Sequence, residues 1–273
     1  MSARGRALSF AATVLLLVAA ARPARAEALR LDPALDATLL GTGAVLGIML
    51  EVLAQSGELD PIAPGRQEDI NPLDRWVADG GTSGTRTPHD VSNVLLAVAY
   101  GAAVVMPISR GTMSGADAGW TDLILYAEAL AWNAALANVV KMAVRRPRPI
   151  SYVQLREGSY DPDDTDGTLS FYSGHTAMVA TVAGAVTTTE FLRSPAGCPR
   201  PWIALASGAA LTLATGAMRV AAKRHFVTDV AVGAVVGTAV GVTVPLLHRT
   251  GPRVAPTVAA VPGGATVGVA GAL

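Results

Sequence analysis

Three stretches of this chain run without a charged residue for nearly the length of a membrane-crossing helix: Val91–Ser109, Pro201–Met218 and Val230–Leu247. A helix needs about 20 apolar residues to cross the hydrocarbon core of a bilayer, whereas ordinary strands are much shorter. The chain is thereby confined to helical bundles, either in a membrane or in a soluble protein whose helices are buried nearly all round. Composition points the same way: of 273 residues, 51% are hydrophobic and 15% charged, against about 25% charged in ordinary soluble domains. So much apolar content excludes a disordered chain. Lys+Arg and Asp+Glu number 21 each, a balance that argues against a nucleic-acid partner. The single cysteine, Cys198, excludes an intrachain disulfide framework and a cysteine-rich zinc site.

The N-terminus has the order of a secretory signal. Arg4 and Arg6 precede an apolar run from Ala7 to Ala21, and Ala24-Arg25-Ala26 supplies the small-x-small pattern of a cleavage site. Residues 1–26 are therefore expected to be an export signal, and a retained anchor helix is the other reading. Six apolar segments follow: Leu35–Ala54, His89–Ser109, Thr121–Val144, Gly174–Leu192, Trp202–Arg219 and Phe226–Leu247. Each is too long for an ordinary strand and rich in Ala, Leu or Val, so the expectation is an all-α, six-helix bundle spanning 27–253. The first segment is the weakest span, since Asp36 and Glu51 bracket its uncharged part. The third carries Glu128, Asn133 and Asn138, which should face the bundle interior.

Residues 55–88 are polar. Within them Asn71-Pro72-Leu73-Asp74-Arg75-Trp76-Val77 reads as one short capped helix, and Thr87-Pro88-His89-Asp90 reads as a capping box. The tail 254–273 alternates Val, Ala and Thr around Pro262-Gly263-Gly264, which suits a small hairpin or a frayed end. Asp161, Asp163, Asp164 and Asp166 invite a calcium loop, but Asp166 stands at the glycine position and Tyr172 at the twelfth, where a Glu is needed. That run is expected to be a solvated turn. His89 and His248 are expected to be ordinary helix-end residues.

The chemistry-bearing residues fall in three short blocks. In the first, Pro147 and Pro149 stop the third helix, and Lys141, Arg145, Arg146 and Arg148 gather at its end. Cations are favourable at a helix C-terminus, so the block is either a capped end with membrane-flanking charge or an oxyanion clamp. In the second, Ser173-Gly174-His175 opens the fourth helix, with Ser173 as a candidate cap over unpaired backbone N–H groups, a ready site for an anion. In the third, Arg219 precedes His225 and Asp229, and a spacing of four puts the last two on one helix face. A carboxylate bonded to one imidazole nitrogen would fix the tautomer and free the other as a nucleophile.

Taken together, Lys141-x6-Arg148-Pro149, Ser173-Gly174-His175 and Arg219-x5-His225-x3-Asp229 resemble the type 2 phosphatidic acid phosphatase (PAP2) and vanadium haloperoxidase superfamily, over residues 89–247. The resemblance implies a metal-independent phosphatase with no cofactor. Lys141, Arg148 and Arg219 would hold phosphate oxygens, with Ser173 and the Gly174 N–H as further donors. His225 would attack phosphorus, Asp229 would orient it, and His175 would protonate the leaving oxygen and later activate water. Fixed cations can supply the charge neutralisation that phosphoryl transfer needs. Two positions depart from the family pattern: Tyr172 stands where a proline precedes Ser-Gly-His, and Met218 where a serine precedes the arginine.

The resemblance admits several substrates. A lipid or isoprenoid phosphate phosphatase of the cell envelope is the leading expectation, ahead of a periplasmic acid phosphatase acting on soluble phosphomonoesters. A vanadate-dependent haloperoxidase comes third, since only 5% of residues are aromatic. A non-catalytic membrane scaffold would leave the convergence of cations and histidines unexplained. An exported residue 27 and an outward-facing site are compatible only if one segment fails to cross, with the first segment the expected exception, or if the bundle is soluble.

Overall fold

The computed structural model describes residues 29–56, 59, 62–250, 254–261 and 264–271. The expected export signal, residues 1–26, lies outside the described residues. The fold is all-α, with seven α-helices among the described residues rather than the expected six: α1 (Pro33–Gln55), α2 (Arg86–Ser114), α3 (Ala116–Val144), α4 (Pro149–Glu157), α5 (Gly174–Arg193), α6 (Arg200–Ala221) and α7 (Val227–Leu247). The addition is α4. Pro147 and Pro149 do end α3, but Pro149 also takes the first position of a new helix, where its missing N–H costs nothing. Past α7, the backbone of β1 (Val254–Val261) pairs antiparallel with β2 (Gly264–Gly271).

Local chemistry sets the helix ends. Asp32 caps α1 by accepting from the N–H groups of Ala34 and Leu35 at 3.2 and 3.1 Å. The expected capping box at Thr87 does not form, because α2 starts two residues earlier than that cap implies, at Arg86 with Thr85 in the N-cap position. Pro88 is then the third helical residue, a position where an N–H would have no intrahelical partner and its absence costs nothing. Gly115, at φ 97°, turns the chain directly from α2 into α3. The stretch expected as one helix from Asn71 is instead a turn and a short 3-10 helix, Arg75–Ala78. Asn71 Oδ1 accepts from the N–H groups of Leu73 and Asp74, which closes the turn.

α5 is the axis of the bundle. Ala177, Val179, Ala180, Thr181, Ala185, Thr188 and Thr189 are all buried on it. Most of its threonines satisfy themselves against their own helix, as when Thr181 and Thr188 donate to the carbonyls four residues back. α7 lies against α5 through Gly233, Gly237 and Gly241. A Cβ on Gly237 would stand 2.1 Å from the Ala177 carbonyl oxygen, and one on Gly241 2.2 Å from that of Thr181. No side chain fits between these backbones.

α1, α2, α3, α6 and α7 are long and apolar enough to cross a membrane. Their outer faces expose large apolar residues, among them Ile48 and Val52 on α1, Val94, Val98, Val105 and Ile108 on α2, and Ile203 and Leu213 on α6. An apolar surface of that extent favours membrane association. The expectation that the first segment is the weak one is corrected here. Asp36 turns into the bundle and bonds to His248, and Glu51, though exposed, lines a cleft between α1, α2, α3 and α5, so α1 presents a largely apolar outer face. The exception by composition is α5, which the other helices enclose.

Six long helices traverse the bundle in alternating directions. At one end, Arg110 of α2 pairs with Asp122 of α3 and Glu190 of α5, Arg193 pairs with Asp122, and Leu29 pairs with Arg249. At the other end the three motif blocks meet.

Candidate active site

The three blocks are stitched together by backbone hydrogen bonds before any side chain is considered. Ser170 N donates to the Arg146 carbonyl at 2.9 Å, and Arg148 N donates to that of Gly167 at 2.8 Å. Ile150 N reaches the Lys223 carbonyl at 2.9 Å, and Ser173 N that of Asp229 at 3.1 Å. These bonds explain why residues far apart in sequence meet at a fixed distance.

α3 ends at Arg145, whose left-handed conformation (φ 48°) returns its N–H to the Lys141 carbonyl at 2.8 Å. The chain then exits with its cations divided between two tasks. Arg146 turns inward: it bonds Asp74 at 2.9 Å, Thr228 at 2.9 Å and Asp229 at 2.5 Å, and lies 4.0 Å over the Phe226 ring. It is a clamp between blocks and has no free face for an anion. Arg148, buried, turns the other way and bonds the backbone oxygen of Asp166 at 2.8 Å and its carboxylate at 2.5 Å.

Ser173 occupies the N-cap position of α5, as expected, but its Oγ pairs with Thr176 Oγ1 at 2.9 Å rather than with a backbone N–H. The N–H groups opening α5 are therefore left for a ligand. Lys141 sits over them: a Cβ on Gly174 would stand 3.4 Å from its Nζ. An ammonium held against the positive end of a helix dipole is unfavourable unless an anion lies between them. The absence of a side chain at Gly174 keeps that approach open.

Arg219, at the end of α6, is buried and reaches His225 Nε2 with Nη2 at 3.4 Å. His225 precedes α7 and is only 2% exposed. Its Nδ1 lies 2.7 Å from the Ser170 carbonyl and 4.0 Å from the nearest Asp229 oxygen. The carbonyl accepts the Nδ1 proton, so Nε2 carries the lone pair. Asp229 thus reaches the ring only at one remove. Its Oδ2 accepts from Ser170 Oγ at 2.5 Å and from Phe226 N at 2.9 Å, fixing both the carbonyl that holds the ring and the turn that carries it. Burial, reinforced by Arg219, Arg148 and Lys141, holds the His225 imidazole well below its ordinary value. The ring is neutral at pH 7, as a nucleophile requires.

Asn93, Ser92 and Arg224 join the site without having been singled out, and so does His89, which was expected to be an ordinary helix-end residue. His175 Nε2 lies 2.8 Å from Asn93 Oδ1. Asn93, His89 and Ser92 form one face of the first turns of α2; His89 Nδ1 is 3.2 Å, and Ser92 Oγ 3.4 Å, from Arg219 Nη1. The spacing i, i+3, i+4 was the available signal, but nothing local tied it to motifs more than eighty residues away. Arg224 approaches the Asp166 carboxylate at 3.8 Å. Burial raises the Asp166 carboxyl, yet Arg148, Lys141 and Arg224 outweigh it and hold it below the usual carboxylate range. The acidic run is thus partly a counter-ion for the site cations. Of the two departures, Tyr172 points away into a core with Ala137 and Ala177, and Met218 is partly exposed on α6.

A cleft of about 640 Å³ opens beside these groups, between α1, α2, α3 and α5. Gly43, Gly47, Val52, Tyr100, Ala134 and Met178 contribute to its walls, and Glu51, Asn138, Lys141 and His175 bring charged or polar side chains to it.

A family model described as the PAP2 superfamily matches residues 122–252. The match supports membership of the PAP2/haloperoxidase superfamily, and all nine motif residues lie inside the matched segment. Membership points to phosphatase chemistry on a phosphate ester. α1 and α2, which build half of the cleft, precede that segment. No curated protein and no solved structure matches the chain.

Proposed function

We propose that the protein is a metal-independent phosphatase acting on lipid or isoprenoid phosphates through a phosphohistidine at His225. The observation that carries the lipid reading is the cleft: an apolar channel between helices whose outer faces are apolar, ending at Lys141 and His175. A ligand with an apolar tail and a phosphate head matches both ends of such a channel.

In the proposed reaction the phosphate lies between Lys141, Arg148, Arg219 and the opening N–H groups of α5. Binding displaces the Asp166 carboxylate from Arg148. His225 Nε2 attacks phosphorus while the leaving alkoxide oxygen takes the Nδ1 proton of His175, which must enter the step as the imidazolium with its Nε2–H donated to Asn93 Oδ1. The bond from phosphorus to the ester oxygen breaks as the N–P bond forms. Water, deprotonated by His175, then attacks the phosphohistidine and releases inorganic phosphate and free His225. Fixed cations stabilise the charge that spreads over the equatorial oxygens in both steps.

The site is further proposed to face the periplasm, with the short Arg110, Arg193, Arg200 and Arg249 connections on the cytosolic side. Six traversing helices then place the residues ahead of Pro33 in the cytosol. Cleavage after Ala26 with export of the new terminus is incompatible with that arrangement, and the outward-facing site is the reading retained.

Hydrolysis of phosphatidate, an isoprenyl pyrophosphate and a soluble aryl phosphate by the detergent-solubilised protein tests the function. Higher kcat/KM on a lipid substrate is expected. Equal or better use of the aryl ester would favour an acid phosphatase, and no turnover with bromide oxidation in the presence of vanadate and peroxide would favour a haloperoxidase.

A further inference from the structure

Three ionisable side chains that the proposed reaction does not use meet near the end of the bundle opposite the phosphate site. Asp36 comes from the first turn of α1, Glu128 from the middle of α3, and His248 from the residue after α7. His248 Nε2 lies 2.9 Å from Asp36 Oδ1 and 3.9 Å from Glu128 Oε2, and one ligand atom from each residue falls within 4.8 Å of the others. Asp36 is 2% and Glu128 4% exposed.

Two further features indicate a ligand. Asp36 Oδ2 and Glu128 Oε2 are buried without a hydrogen-bond partner. A buried carboxylate oxygen left unpaired is costly, and in a membrane-associated bundle such groups mark a function rather than a packing role. In addition, His248 Nδ1 lies 2.8 Å from the Val244 carbonyl. That bond places the ring proton on Nδ1 and turns the Nε2 lone pair toward the two carboxylates, as the outer hydrogen bond of a metal-bound histidine does.

We infer that Asp36, Glu128 and His248 form a binding site for a divalent transition-metal ion of the zinc class. Two carboxylates and a neutral imidazole balance a charge of +2, and this mixed oxygen and nitrogen set suits zinc rather than magnesium or calcium. At ordinary bond lengths of about 2.0–2.2 Å, tetrahedral ligand atoms lie about 3.3 Å apart. The 2.9 and 3.9 Å separations bracket that value and the third lies within 4.8 Å, so an ion would draw the three ligand atoms together over a short distance. Three protein ligands leave one position for water. The ion ties the start of α1 to the middle of α3 and the end of α7, and so fixes the helix that forms one wall of the cleft. Its role is structural and separate from the phosphate site, and the inference does not rest on the proposed reaction.

The test is metal content by plasma mass spectrometry on full-length protein, purified in detergent without chelator, loaded with zinc chloride and desalted. About one zinc per chain is expected, falling at least about tenfold in Asp36→Asn and His248→Gln. His248→Cys, which keeps a ligand, retains the ion, and this guards against loss through misfolding. Cobalt loading gives a visible d–d absorption in the wild type that His248→Gln lacks. Wild type without stoichiometric zinc, cobalt or manganese overturns the inference and leaves a proton-sharing cluster. Equal binding by wild type and both ligand-removing variants overturns it as well.

Discussion

Replacing Gly237 by alanine tests whether the site depends on the contact between α5 and α7. The added Cβ would lie 2.1 Å from the Ala177 carbonyl oxygen, 2.8 Å from its carbon and 2.9 Å from the Ala177 Cα. All three are backbone atoms, so no side chain can rotate away. Close carbon–oxygen contacts settle at about 3.3 Å, and the two helices must therefore part by about 1 Å. Overpacking of this kind costs about 1–3 kcal/mol, or roughly 2–12 °C in Tm for a domain of this size. The functional loss should be the larger effect. α5 carries Ser173 and His175, whereas α7 carries Asp229 and the turn that holds His225. A displacement of about 1 Å between reacting groups can cost on the order of 100-fold in rate. The assay is kcat/KM on an aryl phosphate beside thermal unfolding followed by circular dichroism. Gly101→Ala is the control, since a Cβ there meets nothing within 4 Å. Wild-type kcat/KM and Tm in Gly237→Ala would refute the reasoning.

Other consequences can be checked on the same preparations. His225→Ala should abolish turnover with the helical signal intact, and residual activity above a few per cent on every substrate would remove it as nucleophile. Arg148→Ala and Arg219→Ala should each lower kcat by about 10²–10³-fold through lost charge stabilisation. The His225 ring acts as the free base, and its depressed pKa keeps it neutral at pH values below the ordinary 6.5; Arg219→Gln removes one depressing cation, so the acid limb of the residual kcat/KM profile should move up in pH, and an unmoved limb would detach Arg219 from His225. Reporter fusions after Ser159 and after Arg249 should read on opposite sides of the membrane, the first periplasmic; the same side for both would contradict six traversing helices.

The helical class and the three reactive blocks were legible in the sequence because both are short-range properties. A run such as Val230–Leu247 declares its own environment, and Lys141, Arg148, Ser173, His175, Arg219 and His225 keep their spacing whatever surrounds them. The errors also had local causes. Asp36 weakened the first segment as a span because a charge in an apolar run counts against it, and the sequence does not show which way the side chain faces. Pro149 read as a stop because the same residue that ends one helix can begin the next.

Sequence alone thus determined which cations, histidines and carboxylates stand in the three blocks and at what spacing, since residue type and spacing are properties of the chain. Tertiary structure decided how they are used. It divided the cations, assigning Arg146 to Asp74 and Asp229, Arg148 to Asp166, and Lys141 to the opening turn of α5. Packing also gave the His225 proton to the Ser170 carbonyl rather than to Asp229, and brought Asn93 from α2 to His175. Asp36, Glu128 and His248 met only because three helices end or pass at one place. Each of these outcomes depends on which helix faces run together, and that follows from the free energy of the whole packing, which no window of sequence contains.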